Sequence, residues 1–317
     1  MLPCLLAAGA ISAGCGNLQA YQDAYPTQAV DGRVTLSLMQ RLDAGTLLQS
    51  REAGSGLAGR TGTFTGYAGA IAARGNDIYV IDRVSAALVR IDAALQEVTR
   101  LAGLANPMTH GLYVSRNGTV YVVDKAARVV RQFDRDGRPV QVFEDRNLAP
   151  SPVDVTETGW GSAVVVADEF ARQLAIFSPL GAATAVVGST DLRLSIAQTL
   201  HAIAGAEDSI FVLDTGANEV MRFDLRGRQV GSYGEDDLEL PTALAVDDCG
   251  RLYVADNSGA GILVSSFDMR VPPVRAQQNN PIEQEVTDLW SDGRFLYVAA
   301  GSEGISVYRV EPACGAR

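Results

Sequence analysis

The sequence predicts an all-β chain folded as a six-bladed β-propeller with four-stranded blades, its ring closed by an N-terminal strand. Three observations predict it. A short apolar run ending in Asp recurs along the chain, and its sixth copy has Ala300 in the Asp position. Successive copies are spaced by 42, 44, 46, 42 and 44 residues. Each copy is flanked by further short apolar runs parted by Gly- and Asp-rich turns, which gives four strands per period.

Composition sets the outer bounds. Of 317 residues, 47% are hydrophobic and 20% charged, a globular profile that excludes a mostly disordered chain. Lys and Arg number 26 against 37 Asp and Glu, a net charge of −11 with no basic block. That excludes a nucleic-acid partner, which needs a basic face. The one uncharged stretch near membrane length lies at the N-terminus, so a polytopic membrane protein is excluded. Two His and four Cys, with no C-x-x-C, do not make a Cys/His zinc module. The expectation is a chain with no cofactor.

The elements follow in chain order. Residues 1–15 read as an export signal: residues 2–14 are Leu-, Ala- and Gly-rich, and no charge occurs before Asp23. The stretch Ile11-Ser12-Ala13-Gly14-Cys15 resembles a bacterial lipobox, in which the Cys becomes lipidated. Ala13 and Gly14 fit that pattern. Ser12 departs from it, as does the missing basic n-region, so an ordinary signal with an incidental Cys is the alternative. By resemblance to Gram-negative lipoproteins, Gly16 after the Cys implies the outer membrane, with the protein facing the periplasm. Residues 16–33 have little apolar periodicity and read as a tether. Residues 34–312 read as a single propeller domain. Its first strand, where Val34, Leu36 and Leu38 alternate, is the spare strand that completes the last blade.

The repeated strand appears as Ile78-Tyr79-Val80-Ile81-Asp82, Val120-Tyr121-Val122-Val123-Asp124 and Val164-Val165-Val166-Ala167-Asp168. It returns as Ile210-Phe211-Val212-Leu213-Asp214, Leu252-Tyr253-Val254-Ala255-Asp256 and Leu296-Tyr297-Val298-Ala299-Ala300. A strand precedes each, across a turn such as Arg116-Asn117-Gly118 or Asp248-Cys249-Gly250. A third follows the Asp, as in Val220-Met221-Arg222-Phe223, and a fourth follows a Gly turn, as in Gln229-Val230-Gly231-Ser232-Tyr233. The sixth copy supplies three strands before the chain ends.

The run from Ile210 through Asp214 to Gly227, and that from Pro241 through Asp247 to Asn257, resemble NHL repeats. The similarity covers about residues 67–310. The Trp-Asp of WD-type blades and the Gly-Gly of kelch blades are absent from the sequence. The resemblance implies six blades, in agreement with the count, but not one activity, because the fold hosts binding modules and enzymes alike. Some NHL-like propellers are enzymes, among them peptidyl-hydroxyglycine amidating lyases and streptogramin lyases, which use His at the propeller mouth. A three-His metal site is impossible in a chain with two His.

The recurring Asp82, Asp124, Asp168, Asp214 and Asp256 read as structural, accepting backbone N–H groups of the following turn. The candidate ligand-binding residues come from aligning the first strand of each blade. One position holds Gly69, His110, Val153, His201, Thr242 and Thr287; the next holds Ala70, Gly111, Asp154, Ala202, Ala243 and Asp288. His110, His201, Asp154 and Asp288 therefore lie at similar depth near one end of the channel, where a ligand site would form. Two His and a carboxylate could hold a divalent ion; the polar, wet channel equally explains them without a task. Neighbouring positions on a strand face opposite sides, which separates the Asp pair from the His pair. Catalytic residues are not assigned, since G-x-S-x-G, P-loop and H-E-x-x-H motifs are absent from the sequence. Cys249 and Cys314 fall in turns of neighbouring blades on one face, and export permits a disulfide between them, with two free thiols as the alternative.

Two functions remain. The first is a membrane-tethered binding or scaffold module for a protein or envelope-polymer partner, supported by the tether, the acidic surface and the incomplete catalytic set. The second is a lyase or hydrolase with its site around His110 and His201.

Overall fold

The computed structural model describes residues 34–44, 64–94, 97–106, 111–147, 149–159, 161–188, 197–234, 236–259, 261–269, 272–283 and 285–314. The signal and tether, residues 1–33 with Cys15, lie outside the described residues, as does His110.

The described chain is all-β and forms six blades, and in the first five the strands run outward from the axis in chain order. Blade one comprises Ala68–Arg74, Asp77–Asp82, Ala87–Asp92 and Glu97–Gly103. Blade two comprises Leu112–Val114, Val120–Asp124, Val129–Phe133 and Pro139–Phe143, and blade three Pro152–Thr158, Ala163–Asp168, Gln173–Phe177 and Ala183–Val187. Blade four comprises Leu200–Gly205, Ser209–Asp214, Glu219–Asp224 and Gln229–Tyr233, and blade five Pro241–Val246, Arg251–Asp256, Gly261–Ser266 and the short Val274–Arg275. Blade six takes Asp288–Ser291, Phe295–Ala299 and Ile305–Glu311 from the end of the chain. Its next strand is N-terminal: Thr35–Leu42 pairs antiparallel with Ile305–Glu311, from Thr35↔Glu311 to Leu42↔Ile305. A further short strand, Gln277–Gln278, adds parallel to Thr35–Leu36, so this blade has five strands. Sequence reading does not anticipate that fifth strand, because two residues carry no periodicity.

The repeated second strands are apolar on both faces because both faces are covered. In blade one, Ile78 and Val80 pack toward blade six, while Tyr79 and Ile81 pack toward blade two. That is the period of a strand acting as a wall between two cores. Six such clusters of buried residues are described, one between each pair of neighbouring blades. The closing strand joins two of them. Leu36 packs with Tyr253, Leu289 and Tyr308, and Leu42 packs with Ile78, Val80 and Ile305. Residues six apart on a regular strand share a face. Here the register shifts between Leu38 and Gln40, and the extra residue turns the rest of the strand over.

In blades one, three, four and five the repeated Asp holds the blade to the segment that leads into it, whereas Asp124 of blade two accepts the Ala127 amide and the Arg131 guanidinium. Asp214 accepts the amides of Gln198 and Thr199 at 2.6 and 2.8 Å, and those of Gly216 and Ala217 at 2.9 and 3.2 Å. Asp82 does the same for Thr65, Val84 and Ser85, and Asp256 for Glu239, Leu240 and Ser258. One carboxylate thus closes the turn after its strand and anchors the entrance of the inner strand. The turn has a cost in backbone conformation. Ala86, Arg128, Arg172 and Asn218, each four residues after an Asp, have φ between 49° and 60°.

Candidate functional site

The six inner strands enclose a narrow axial channel of about 110 Å³, to which every blade contributes. Asp154 of blade three and Asp288 of blade six both line it. Both oxygens of each carboxylate are engaged by the ring itself. Asp154 accepts the amide of Val155 at 2.8 Å through one oxygen and the amide of Ile203, on blade four, at 2.7 Å through the other. Asp288 accepts the amides of Leu289 and of Ile71, on blade one, at 2.8 Å each. Each acid therefore ties its inner strand to the next blade. They stand on opposite blades, where the other four carry Ala70, Gly111, Ala202 and Ala243. Burial pushes the Asp154 carboxyl up to about 8, against the pull of its two amides. Burial also holds Asp288 well above the usual carboxylate range, and the charge of Asp154 adds to that.

His201 is the second residue of the inner strand of blade four and is partly buried. Burial lowers its pKa, opposed by a hydrogen bond with the Thr242 backbone and by the charge of Glu169. Glu169 itself pairs with Lys125 at 2.6 Å. The structure thus sets His201 against the Thr242 backbone of blade five, within electrostatic reach of Glu169 and Lys125, while Asp154 and Asp288 turn their oxygens to the ring's own amides. It also brings Cys249 and Cys314 together as a disulfide, with Cα atoms 5.8 Å apart. Beside it, Asp247 accepts from the Arg251 guanidinium at 2.7 Å and from the Tyr253 hydroxyl at 2.8 Å. Arg251 also donates to the carbonyls of Pro312 and Gly293, so blade five is fastened to the C-terminal segment. Asp247, Cys249 and Cys314 have ligand atoms close together, but both sulfurs are in the disulfide, and no thiolate remains to bind a metal.

At the end of the channel where the inner strands finish, a wider hollow of about 330 Å³ opens to solvent. Tyr113, Arg116, Tyr121, Gln132, Glu157, Glu207 and Asp248 are among its lining residues. Arg116 and Asp248 lie in corresponding turns of blades two and five, on opposite sides of the ring. Their ion pair, at 2.8 Å, spans the opening and borders both the hollow and the channel. Behind it, the Gln132 amide donates to the Tyr121 hydroxyl at 3.1 Å, and that hydroxyl donates to Glu157 Oε1 at 2.7 Å. Burial raises the Glu157 pKa, with the Tyr121 hydrogen bond opposing it. The Tyr113 ring lies 6.2 Å from that of Tyr121 and meets Trp290 edge-on at 5.3 Å.

Sequence reading missed this hollow, although it left a trace. Aligned along the inner strands, Glu157 shares its position with Ala73, Val114, Gly205, Val246 and Ser291, and it is the charged residue of the six. Gly205 in the same row has a packing reason: a Cβ there would lie 2.0 Å from the Glu157 carbonyl oxygen.

No protein-family model matches the chain, and no curated protein matches it in sequence. Among solved structures the chain is similar to a protein of unknown function from Bacteroides thetaiotaomicron, with TM-score 0.58 and 15% identity over 88% of this chain and 76% of that one. It is similar to a streptogramin B lyase, with TM-score 0.55 and 11% identity over 76% and 78%. It is also similar to the hydrazine synthase of Kuenenia stuttgartiensis, with TM-score 0.55 and 13% identity over 81% and 99%. At such identities the likeness shows the fold, a six-bladed β-propeller, and leaves activity undefined.

Proposed function

We propose that the protein is a binding module of the bacterial cell envelope. In this reading it is an exported NHL-type propeller, lipid-anchored through Cys15 at the outer membrane, that presents one face to a protein or envelope-polymer partner. The observation that carries the reading is the engagement of Asp154 and Asp288. Both oxygens of each accept backbone amides of the ring. They brace the blades and so do not serve His201 as the acid–base partner that hydrolysis or elimination needs. The polar hollow at the opposite end is open instead. Two experiments test this. Fractionation should place the wild-type chain in the membrane and Cys15→Ser in the soluble fraction. Chemical cross-linking in native membranes should yield a discrete adduct with a partner; its absence would overturn the reading.

One observation favours the second reading, a lyase or hydrolase around His110 and His201. Burial lowers the His201 pKa, which favours the neutral imidazole that a general base requires. The fold likeness to a streptogramin B lyase is in keeping with it. Elemental analysis of residues 18–317 beside the His110→Ala/His201→Ala variant decides its metal-dependent form. One ion per chain, lost in the variant, supports it; no ion in either protein removes it.

A further inference from the structure

The hollow at the end of the inner strands has an acceptor in search of a cation. Glu157 is fixed by the Gln132–Tyr121 chain, which takes its Oε1 at 2.7 Å. Its Oε2 lies beside Gly161, another lining residue, at 3.4 Å from where a Cβ would stand. Among the described residues no hydrogen bond reaches that oxygen. The cations that line or flank the hollow face other acids: Arg116 is bonded to Asp248 at 2.8 Å and Arg251 to Asp247 at 2.7 Å. Tyr121 meets the carboxylate through its hydroxyl, and Tyr113, whose ring lies 6.2 Å from that of Tyr121, lines the same hollow as Glu157. A carboxylate and an aromatic ring in one hollow are the chemistry that recognises an alkylammonium group, through a charge-assisted hydrogen bond and apolar or cation–π contact with the stem. The cavity, about 330 Å³, is of small-ligand size. The net charge of −11 steers cations toward the protein.

We propose that this hollow binds a primary alkylammonium group, with the nitrogen donating to Glu157 Oε2 and the alkyl stem against Tyr113. The proposal rests on the binding reading above and names the chemistry of its site. The ammonium can belong to a free amine or to a lysine side chain of a partner, and two probes separate these sources. Cadaverine stands for the free amine, and Nα-acetyl-lysine amide for the side chain. Both are titrated by calorimetry into residues 18–317 at low salt, with 1,5-pentanediol as the uncharged control. Saturable binding of cadaverine alone assigns a small-molecule site; binding of both assigns a lysine-accepting one. In either case Glu157→Gln, which keeps the acceptor for Tyr121, should weaken binding at least tenfold. Tyr121→Phe, which frees the carboxylate to move, should weaken it several-fold. Thermal melts of both variants report whether the ring is intact. The proposal is overturned if neither amine binds, if pentanediol binds as well, or if the folded Glu157→Gln variant binds as tightly as the wild type. A partner cross-linked elsewhere on the propeller, with no amine bound, would leave the binding reading standing and remove this site alone.

Discussion

Replacing Asp154 by Asn should reverse its effect on stability as the pH rises. The Asp154 carboxyl is buried and its pKa is pushed up to about 8, from an ordinary 3.8. Between those values the folded chain holds a proton that the unfolded chain has released. This contribution is therefore fully present below the unfolded pKa and is lost as pH climbs toward 8, at about 1.4 kcal/mol per pH unit. From pH 5 to pH 7 the loss from this one group is about 3 kcal/mol by the same linkage. Asn cannot titrate, so the variant lacks this slope. It has its own penalty, because one amide of Val155 or Ile203 then faces an NH₂ group in place of an acceptor, which costs about 1–3 kcal/mol. Asp154→Asn should thus be less stable than wild type at pH 5, and the gap should close or invert by pH 7–8. The lowered pKa of His201 works in the opposite sense, destabilising the fold as pH falls, and is common to both proteins. Urea denaturation at pH 5, 6, 7 and 8, at constant ionic strength, measures the difference in slope. Parallel pH dependences for the two proteins would refute the reasoning, since they would mean that the two amides outweigh burial and keep Asp154 ionised throughout.

Further outcomes follow from the packing. Leu36, fully buried in the core between blades five and six, should cost about 2–5 kcal/mol when cut to Ala, read as a shift in the urea midpoint; an effect under 1 kcal/mol would deny that the N-terminal strand carries the closure. Reducing the Cys249–Cys314 disulfide, which closes a span of 65 residues, should cost about 4 kcal/mol on the chain-entropy account. A melting temperature unmoved by reductant, in a protein shown by thiol titration to be oxidised beforehand, would contradict that. Gly205→Ala places a methyl against the Glu157 carbonyl and should destabilise by about 1–3 kcal/mol, whereas Gly75→Ala, with open space around it, is limited to the backbone strain of its positive φ. Equal melts for those two variants would show that blades three and four can part without loss.

The sequence by itself determined the architecture. A period near 44 residues, with a strand that is apolar on both faces, admits a ring of walls and little else. Each wall needs a neighbour on either side, and the alternation at Val34, Leu36 and Leu38 marks a strand with no blade of its own. The turn half of the Asp staples was legible, since it acts two or three residues on; the half that reaches 15 to 17 residues back to the leading segment was not. What acts across the ring was not legible. Asp154 and Asp288 read as ligands from their alignment alone. The tertiary structure turns their oxygens onto amides of the next blade, 49 and 217 residues away. Arg116 and Asp248 were visible only as turn residues, and they meet over the opening with 132 residues between them. Glu157 was hidden in an otherwise uncharged row until Tyr121 of the preceding blade bound it. A repeat specifies each blade through local strand and turn chemistry. Which side chains converge at the axis depends on the closure of the ring, and that closure exists only in three dimensions.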